Sequence, residues 1–146
     1  ILGEGKDWGI LEKLAKELGI SDKVVFLGFQ INPFKYMKNA SVFVLSSMHE
    51  GFGNVLIEAM ACGTPVVSTN CKSGPSEIIE DGKSGILVPV GDYQSLAKAI
   101  VKVLSDSSLR QRFSEEGIKK ARYFSLGKNI KGYEEVFQTV MRQPKL

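Results

Sequence analysis

Short apolar runs alternate along the chain with longer stretches in which apolar residues recur at every third or fourth position. A run of about four to eight apolar residues between turn residues is typical of a buried strand, and the wider spacing is typical of a helix. The runs predict strands at residues 1–2, 24–27, 42–45, 65–68 and 86–88. The wider spacing predicts helices at residues 10–18, 33–40, 55–62, 96–104, 108–123 and 128–141, with one helical turn at 76–80.

The alternation of strand and helix predicts an α/β fold, in which a doubly wound parallel sheet carries helices on both faces. We expect one domain over residues 1–146, with its C-terminal helices from about residue 92. Ligands of such sheets bind at the carboxyl ends of the strands. That rule selects the loops at residues 3–6, 28–32, 46–54 and 69–75.

Composition and charge exclude several classes of protein. The 146 residues are 43% apolar and 24% charged, which is the balance of one soluble domain with a core of its own. A net charge of +3 without a long Lys/Arg cluster argues against a nucleic-acid partner. The sequence contains no run of about 18 apolar residues, which is the length that a helix needs to span a bilayer. The chain begins at Ile1 with a pattern typical of the end of a strand, so we expect it to be truncated on its N-terminal side.

The two cysteines indicate neither a disulfide framework nor a metal site. Cys62 and Cys71 lack CxxC spacing and histidine partners, which predicts reduced thiols, a cytoplasmic location and no bound metal. Cys62 falls in an apolar helix and is expected in the core, whereas Cys71 falls in a loop and could be exposed. His49 is the only histidine. A lone loop histidine is more often exposed than catalytic.

The segment from Glu50 to Val67 is the most informative part of the sequence. Gly51 and Gly53 allow the backbone to approach a ligand closely, and Asn54 can cap the helix that follows. We expect the N–H groups of three residues to point out of this helix, namely Val55, Leu56 and Ile57. Such a helix start favours an anion, and a diphosphate fits it.

Two carboxylates flank this predicted anion site. Glu58 lies one turn into a helix that is apolar nearly all round, so we expect its carboxylate to be buried and to need a cation, backbone donors or ligand hydroxyls. A ribose diol would satisfy both oxygens, and a structural ion pair is the alternative. Glu50 lies in the preceding loop, on the ligand side of the helix start.

The spacing of Glu50 and Glu58 resembles the E-x7-E signature of retaining glycosyltransferases of the GT-B fold, family 4, the glycosyl transferases group 1. Residues 1–5, 25–29, 40–47 and 81–88 carry further similarity, which extends to about Leu104. The resemblance implies the C-terminal, Rossmann-like, donor-binding half of such an enzyme. It implies that Glu58 binds the nucleotide ribose and that Glu50 lies beside the donor sugar and takes part in catalysis.

The resemblance also assigns the rest of the donor site. It implies that the donor diphosphate and sugar are bound by Gly51, Phe52, Gly53, Asn54, Val55 and Leu56, largely through backbone N–H groups. It implies that the base rests on Leu27, Gly28 and Phe29. The phosphate-binding Arg and Lys of the family, and its N-terminal acceptor domain, precede the point at which this chain begins. We therefore expect the chain alone to be inactive.

The implied reaction moves a sugar from a nucleoside-diphosphate sugar, with UDP as the expected nucleotide, to a saccharide or lipid-linked acceptor. The resemblance implies no cofactor or metal, because helix N–H groups, together with the family's Arg and Lys that are absent here, can stabilise the leaving diphosphate. Besides the donor, the acceptor and the N-terminal domain, the resemblance implies peripheral association of the full enzyme with the inner membrane face. The basic helix at residues 108–123 could lie against such a surface, although a solvated face is the commoner role.

Two other functions compete with this prediction. Residues 3–9 resemble a dinucleotide-binding turn, G-x-G-x-x-x-G, which would suit an NAD(P)-dependent oxidoreductase. That function requires an acidic residue after the next strand, and residues 27–30 offer none. The second alternative is a sugar-nucleotide-binding module without catalytic activity.

Overall fold

The structure is a computed structural model that describes residues 1–142, so that residues 143–146 of the predicted domain lie outside the described part. The helices are α1 (Trp8–Glu17), α2 (Phe34–Asn39), α3 (Asn54–Ala61), α4 (Pro75–Ile78), α5 (Tyr93–Ser105), α6 (Ser107–Tyr123) and α7 (Leu126–Arg142). The strands are β1 (Phe43–Leu45), β2 (Val66–Thr69) and β3 (Ile86–Val88). The chain divides into two compact units, Ile1–Lys35 and Tyr36–Leu146.

The first unit joins its two extended segments by hydrogen bonds. The amino group of Ile1 donates to the carbonyl oxygen of Val25 at 2.6 Å, and the Leu27 N–H donates to the Ile1 carbonyl at 2.9 Å. This is the pattern of a parallel pair. The pairing is too short to form regular strands, so the strands predicted at residues 1–2 and 24–27 are corrected to paired extended segments.

The second unit contains a parallel sheet in the order β1-β2-β3. Phe43 pairs with Val66, and Val67 pairs with Ile86. The strand predicted at residues 86–88 coincides with β3, and β1 falls within the predicted residues 42–45. Pro65 precedes β2 rather than opening it, as expected for a residue without an N–H group.

Helices cover both faces of this sheet. Neighbouring residues of β2 point to opposite faces, so each face contributes to a different core cluster. Val66 packs in one core cluster with Leu56 and Met60 of α3. Val67 packs in a second cluster with Val103 of α5 and Phe113 of α6. Burial on both faces is what a parallel strand requires. The predicted doubly wound arrangement is therefore confirmed in the second unit.

The last helix differs from the others in burying no residue. Its apolar side chains are all exposed, and they recur at helical spacing: Leu126, Ile130, Tyr133, Val136, Phe137, Val140 and Met141. Within residues 1–142, no helix is both long enough and apolar enough to cross a membrane.

Candidate functional site

The loop that leaves β1 enters α3 through a glycine in a left-handed conformation. Gly53 is the residue that caps α3, with φ at +86°, and no side chain bonds to the helix start. Glycine adopts this conformation at little steric cost. The sequence predicted Asn54 as the cap, which is wrong because Asn54 is already the first helical residue.

The uncapped start leaves backbone donors exposed, although fewer than expected. The Leu56 N–H donates to the Gly53 carbonyl at 2.9 Å and is therefore not free, contrary to the prediction. The N–H groups of Asn54 and Val55 have no acceptor among residues 1–142, as is general for the first residues of a helix. Together with the positive end of the helix dipole, they suit a negatively charged ligand.

The side chains of the predicted diphosphate segment face in different directions. Gly51 and Asn54 are exposed, whereas Leu56 is fully buried in the core of the second unit. The Phe52 ring packs inward, edge-on to Phe124 with 5.7 Å between ring centroids. Phe52 and Leu56 therefore present their backbone, and not their side chains, to the loop surface.

The Glu50 carboxylate is held by a serine three residues earlier. The Ser47 hydroxyl donates to Glu50 Oε1 at 2.6 Å, and both residues are half-buried. The other oxygen, Oε2, accepts no protein hydrogen bond within residues 1–142. Because no side-chain oxygen or nitrogen in those residues is both buried and unpartnered, Oε2 reaches solvent.

The loop after β2 lies against the loop that carries Glu50. The Thr69 hydroxyl donates to the Ser47 carbonyl at 2.6 Å, and the Cys71 thiol donates to the same carbonyl at 3.0 Å. The Ser73 hydroxyl donates to the Glu50 carbonyl at 2.9 Å. The predicted loops at residues 46–54 and 69–75 are thus brought together at the carboxyl ends of β1 and β2.

Sequence reasoning missed these donors. The loop position of Cys71 left exposure open, but the residue is only 4% exposed, because its thiol turns towards the neighbouring loop. The available signal was the recurrence of small hydrogen-bonding residues at every second position from Thr69, the last residue of β2, to Ser73. Residues at that spacing lie on one side of an extended segment.

Glu58 is less buried than predicted. It is half-buried, since Asn54 and Ala61 at the two ends of α3 are exposed and the helix is not apolar all round. Within residues 1–142, its carboxylate has no hydrogen-bond or ion-pair partner. The structural ion pair considered as the alternative is therefore not formed in the described part of the chain.

The residues assigned to the base lie in the first unit. Gly28 has a left-handed φ of +63° and lies beside the Glu4 and Trp8 side chains. Phe29 is 71% exposed, and the Leu27 carbonyl accepts a hydrogen bond from Gln30 Nε2 at 2.7 Å. The predicted loops at residues 3–6 and 28–32 also meet here, because the Gly3 N–H donates to the Gly28 carbonyl at 2.9 Å.

A shallow cavity of about 330 Å³ contains none of the predicted site residues. Its charged side chains pair with one another, and Lys83 Nζ lies 2.7 Å from Glu80 Oε2. The hydrogen bond and charge of Lys83 lower the pKa of Glu80. In the described residues, no group of three His, Cys, Asp or Glu side chains is placed to hold a metal ion.

Comparison with known proteins gives one family match and many relatives. A model of the family described as "Glycosyl transferases group 1" matches residues 1–120. The lipopolysaccharide core biosynthesis glycosyltransferase LpsE of Rhizobium meliloti is 44% identical over 117 residues, which are 80% of this chain and 34% of that protein.

A second relative acts on a lipid-linked saccharide by its name. It is the N-acetylgalactosamine-N,N'-diacetylbacillosaminyl-diphospho-undecaprenol 4-alpha-N-acetylgalactosaminyltransferase of Campylobacter jejuni, 41% identical over 124 residues, which are 85% of this chain and 34% of that protein. The chain thus spans about a third of the length of these curated relatives.

Among solved structures, Anabaena Alr3699/HepE in complex with UDP-glucose has a TM-score of 0.86 and 27% sequence identity to this chain. The alignment covers 94% of this chain and 40% of that one.

Proposed function

The chain belongs to the glycosyl transferases group 1 family and has the α/β fold of one Rossmann-like half of a GT-B enzyme, and we propose that it binds the enzyme's nucleotide-sugar donor. The observation that carries this proposal is the start of α3. Gly53 opens the helix without a side-chain cap, so the backbone donors there are available to a diphosphate.

The donor diphosphate and sugar lie along Gly51, Phe52, Gly53, Asn54, Val55 and Leu56, on the backbone side of this segment. Asn54 and Val55 supply the N–H groups that have no acceptor among residues 1–142. The buried side chain of Leu56 anchors the helix start, and the backbone of Leu56 lies along the donor. Charge that develops on the leaving diphosphate is stabilised by these fixed donors, which need no reorganisation during the reaction. For this reason we propose transfer without a metal or other cofactor.

The nucleoside occupies two further positions. Glu58 accepts hydrogen bonds from the ribose hydroxyls, which supply the partners that its carboxylate lacks within residues 1–142. The base rests on Leu27, Gly28 and Phe29, where the exposed Phe29 ring offers a stacking surface. UDP is the proposed nucleotide, and the similarity to HepE bound to UDP-glucose supports it.

Glu50 acts at the sugar. Its Oε2 has no partner within residues 1–142 and reaches solvent, so that this carboxylate is able to contact the donor sugar and stabilise positive charge as the glycosidic bond breaks. We propose that the sugar is transferred with retention of anomeric configuration, as in family 4.

The acceptor is a saccharide or a lipid-linked glycan. The names of the Rhizobium and Campylobacter relatives, a lipopolysaccharide core enzyme and an undecaprenol-linked one, support this class. We propose that the full enzyme, completed by an acceptor-binding domain, acts in the cytoplasm and at the inner membrane face. The family match favours this function over the nicotinamide-dependent alternative.

Calorimetry with a panel of donors tests the proposal. We expect UDP or a UDP-sugar to bind more tightly than the corresponding GDP- and ADP-sugars, and we expect NAD and NADP not to bind. Preferential binding of NAD would overturn the proposed function. Tighter binding of a GDP- or ADP-sugar would overturn the assignment of UDP while retaining the donor site.

A further inference from the structure

Within residues 1–142, only one oxygen of the Glu50 carboxylate accepts a hydrogen bond. Oε1 accepts the Ser47 hydroxyl at 2.6 Å, while Oε2 reaches solvent without a partner in residues 1–142. A carboxylate on a long side chain has considerable rotamer freedom, and a short hydrogen bond to one oxygen removes much of it. The bond therefore fixes the direction in which Oε2 points.

Ser47 is itself held from the neighbouring strand end. Its carbonyl accepts the Thr69 hydroxyl at 2.6 Å and the Cys71 thiol at 3.0 Å, and both donors are only 4% exposed. Thr69 is the last residue of β2, so this anchor belongs to the rigid part of the second unit.

The loop after β2 also holds the backbone at Glu50, the other residue of the Ser47–Glu50 hydrogen bond. The Ser73 hydroxyl donates to the Glu50 carbonyl at 2.9 Å, and Gly74 lies so close to Phe52 that a Cβ there would come within 2.2 Å of the Phe52 carbonyl oxygen. The backbone at residues 47 and 50 is thus held on both sides of the Ser47–Glu50 hydrogen bond.

We propose that Ser47 is a positioning residue, whose hydroxyl orients the Glu50 carboxylate towards the donor sugar. The inference rests on the proposed function for the identity of the ligand, and on the hydrogen bonds above for the role of Ser47. It predicts that the Ser47 hydroxyl contributes to the binding of the sugar and not to the binding of the nucleotide.

The test compares Ser47→Ala with Ser47→Thr, which keeps a hydroxyl, and with Ser108→Ala, which removes an exposed hydroxyl on α6. For each variant, calorimetry gives the Kd for UDP and for whichever of UDP-glucose, UDP-galactose and UDP-N-acetylglucosamine binds the wild type most tightly. The Kd for UDP divided by the Kd for the UDP-sugar isolates the contribution of the sugar to binding. Melting temperature verifies that each variant is folded.

We expect Ser47→Ala to reduce this ratio roughly three- to tenfold, the usual range for one hydrogen bond, while the Kd for UDP is unchanged. Ser47→Thr and Ser108→Ala should keep the wild-type ratio. A wild-type ratio in Ser47→Ala would overturn the inference. An equal loss of UDP and UDP-sugar affinity would also overturn it, because that is the result of a merely structural role.

A second measurement separates this inference from the proposed function. The ¹³C resonance of the Glu50 carboxyl carbon, assigned by its disappearance in Glu50→Gln, is recorded without any nucleotide. We expect it to shift in Ser47→Ala and to stay near its wild-type position in Ser47→Thr. If the wild type binds no nucleotide, the proposed function fails, yet this resonance still decides the role of Ser47. An unchanged resonance in Ser47→Ala would contradict the inference.

Discussion

The Glu58 carboxylate stands without a cation in residues 1–142, and this determines what its removal does. A buried ion pair that loses one member destabilises a protein strongly, because the remaining charge is left unpaired. Glu58 is half-buried and its oxygens reach solvent, so no such charge is left behind. We therefore propose that its contribution is to binding.

We expect Glu58→Gln to weaken UDP binding by about 1–3 kcal/mol, since two charge-assisted hydrogen bonds to the ribose become neutral ones. The melting temperature should stay near that of the wild type. Glu12→Gln on α1 is the control, because Glu12 is exposed and lies outside the proposed site. Loss of thermal stability with unchanged affinity for UDP would rule out the ribose assignment.

Gly74 is confined both by its backbone and by its neighbour. Its φ is +92°, and an added Cβ would lie 2.2 Å from the Phe52 carbonyl oxygen. Gly82 has a similar φ of +72° but nothing within 4 Å of its Cβ position. Both positions thus have a backbone conformation that disfavours a side chain, and Gly74 adds a collision with Phe52.

Substitution of each glycine by alanine should give different losses of stability. Gly82→Ala should lower the free energy of unfolding by about 1–3 kcal/mol, the usual range for a non-glycine residue in a strained conformation. Gly74→Ala should cost more, because the loop must also move away from Phe52. Urea unfolding of both variants measures the difference, and equal losses would show that the collision is relieved without cost.

At the scale of elements, the hydrophobic pattern located the strands and helices of the second unit well. The run at residues 86–88 is β3, and the stripe at residues 96–104 lies within α5. The pattern failed where pairing is short, as at residues 24–27, since apolar spacing reveals burial and not the number of ladder hydrogen bonds. It also failed at the start of α3, because glycine and asparagine are both accepted as helix caps and only the backbone conformation distinguishes them.

The cap of α5 gives an element whose stability depends on pH. The hydrogen bond from the Ser95 hydroxyl, followed by that from the Ser95 N–H, lowers the pKa of Asp92 below its ordinary value of 3.8. A carboxyl group whose pKa is lower in the folded state stabilises that state above its unfolded pKa. The contribution is lost as the pH falls through the folded pKa.

Asp92→Ala should therefore melt below the wild type at neutral pH, and this difference should shrink as the pH falls below 3.8. Asp92→Asn is the control, since it keeps a capping oxygen but removes the titration. Melting temperatures recorded from pH 7 to pH 2 test the expectation. A difference between Asp92→Ala and the wild type that stays constant over this range would contradict it.

At the scale of the molecule, α6 connects the two core clusters of the second unit. Its Phe113 is 1% exposed in the cluster around Val67, and its Ala121 belongs to the cluster around Val66. The crossing angle between a helix and the sheet decides which of its residues enter each cluster. The sequence pattern does not contain this angle. For the same reason, the acceptors to which Thr69, Cys71 and Ser73 donate could be identified only once the two loops lay side by side.

Phe113→Ala should lower the free energy of unfolding by about 3–5 kcal/mol, because it leaves a large cavity between α6 and the sheet. Phe137→Ala on α7 is the matched control, since Phe137 is 64% exposed. Denaturant unfolding should show a much smaller change for the control. Similar losses for the two variants would contradict the assignment of Phe113 to the core.

Amide-resolved NMR of the ¹⁵N-labelled chain locates the donor diphosphate, which we propose binds at the start of α3. UDP-glucose and NAD are titrated separately, and the shift of each backbone amide is followed. We expect UDP-glucose to perturb residues 51–56 most strongly and NAD to leave them unchanged. Binding of NAD with its largest shifts at residues 3–9, and no response at residues 51–56 to UDP-glucose, would contradict it.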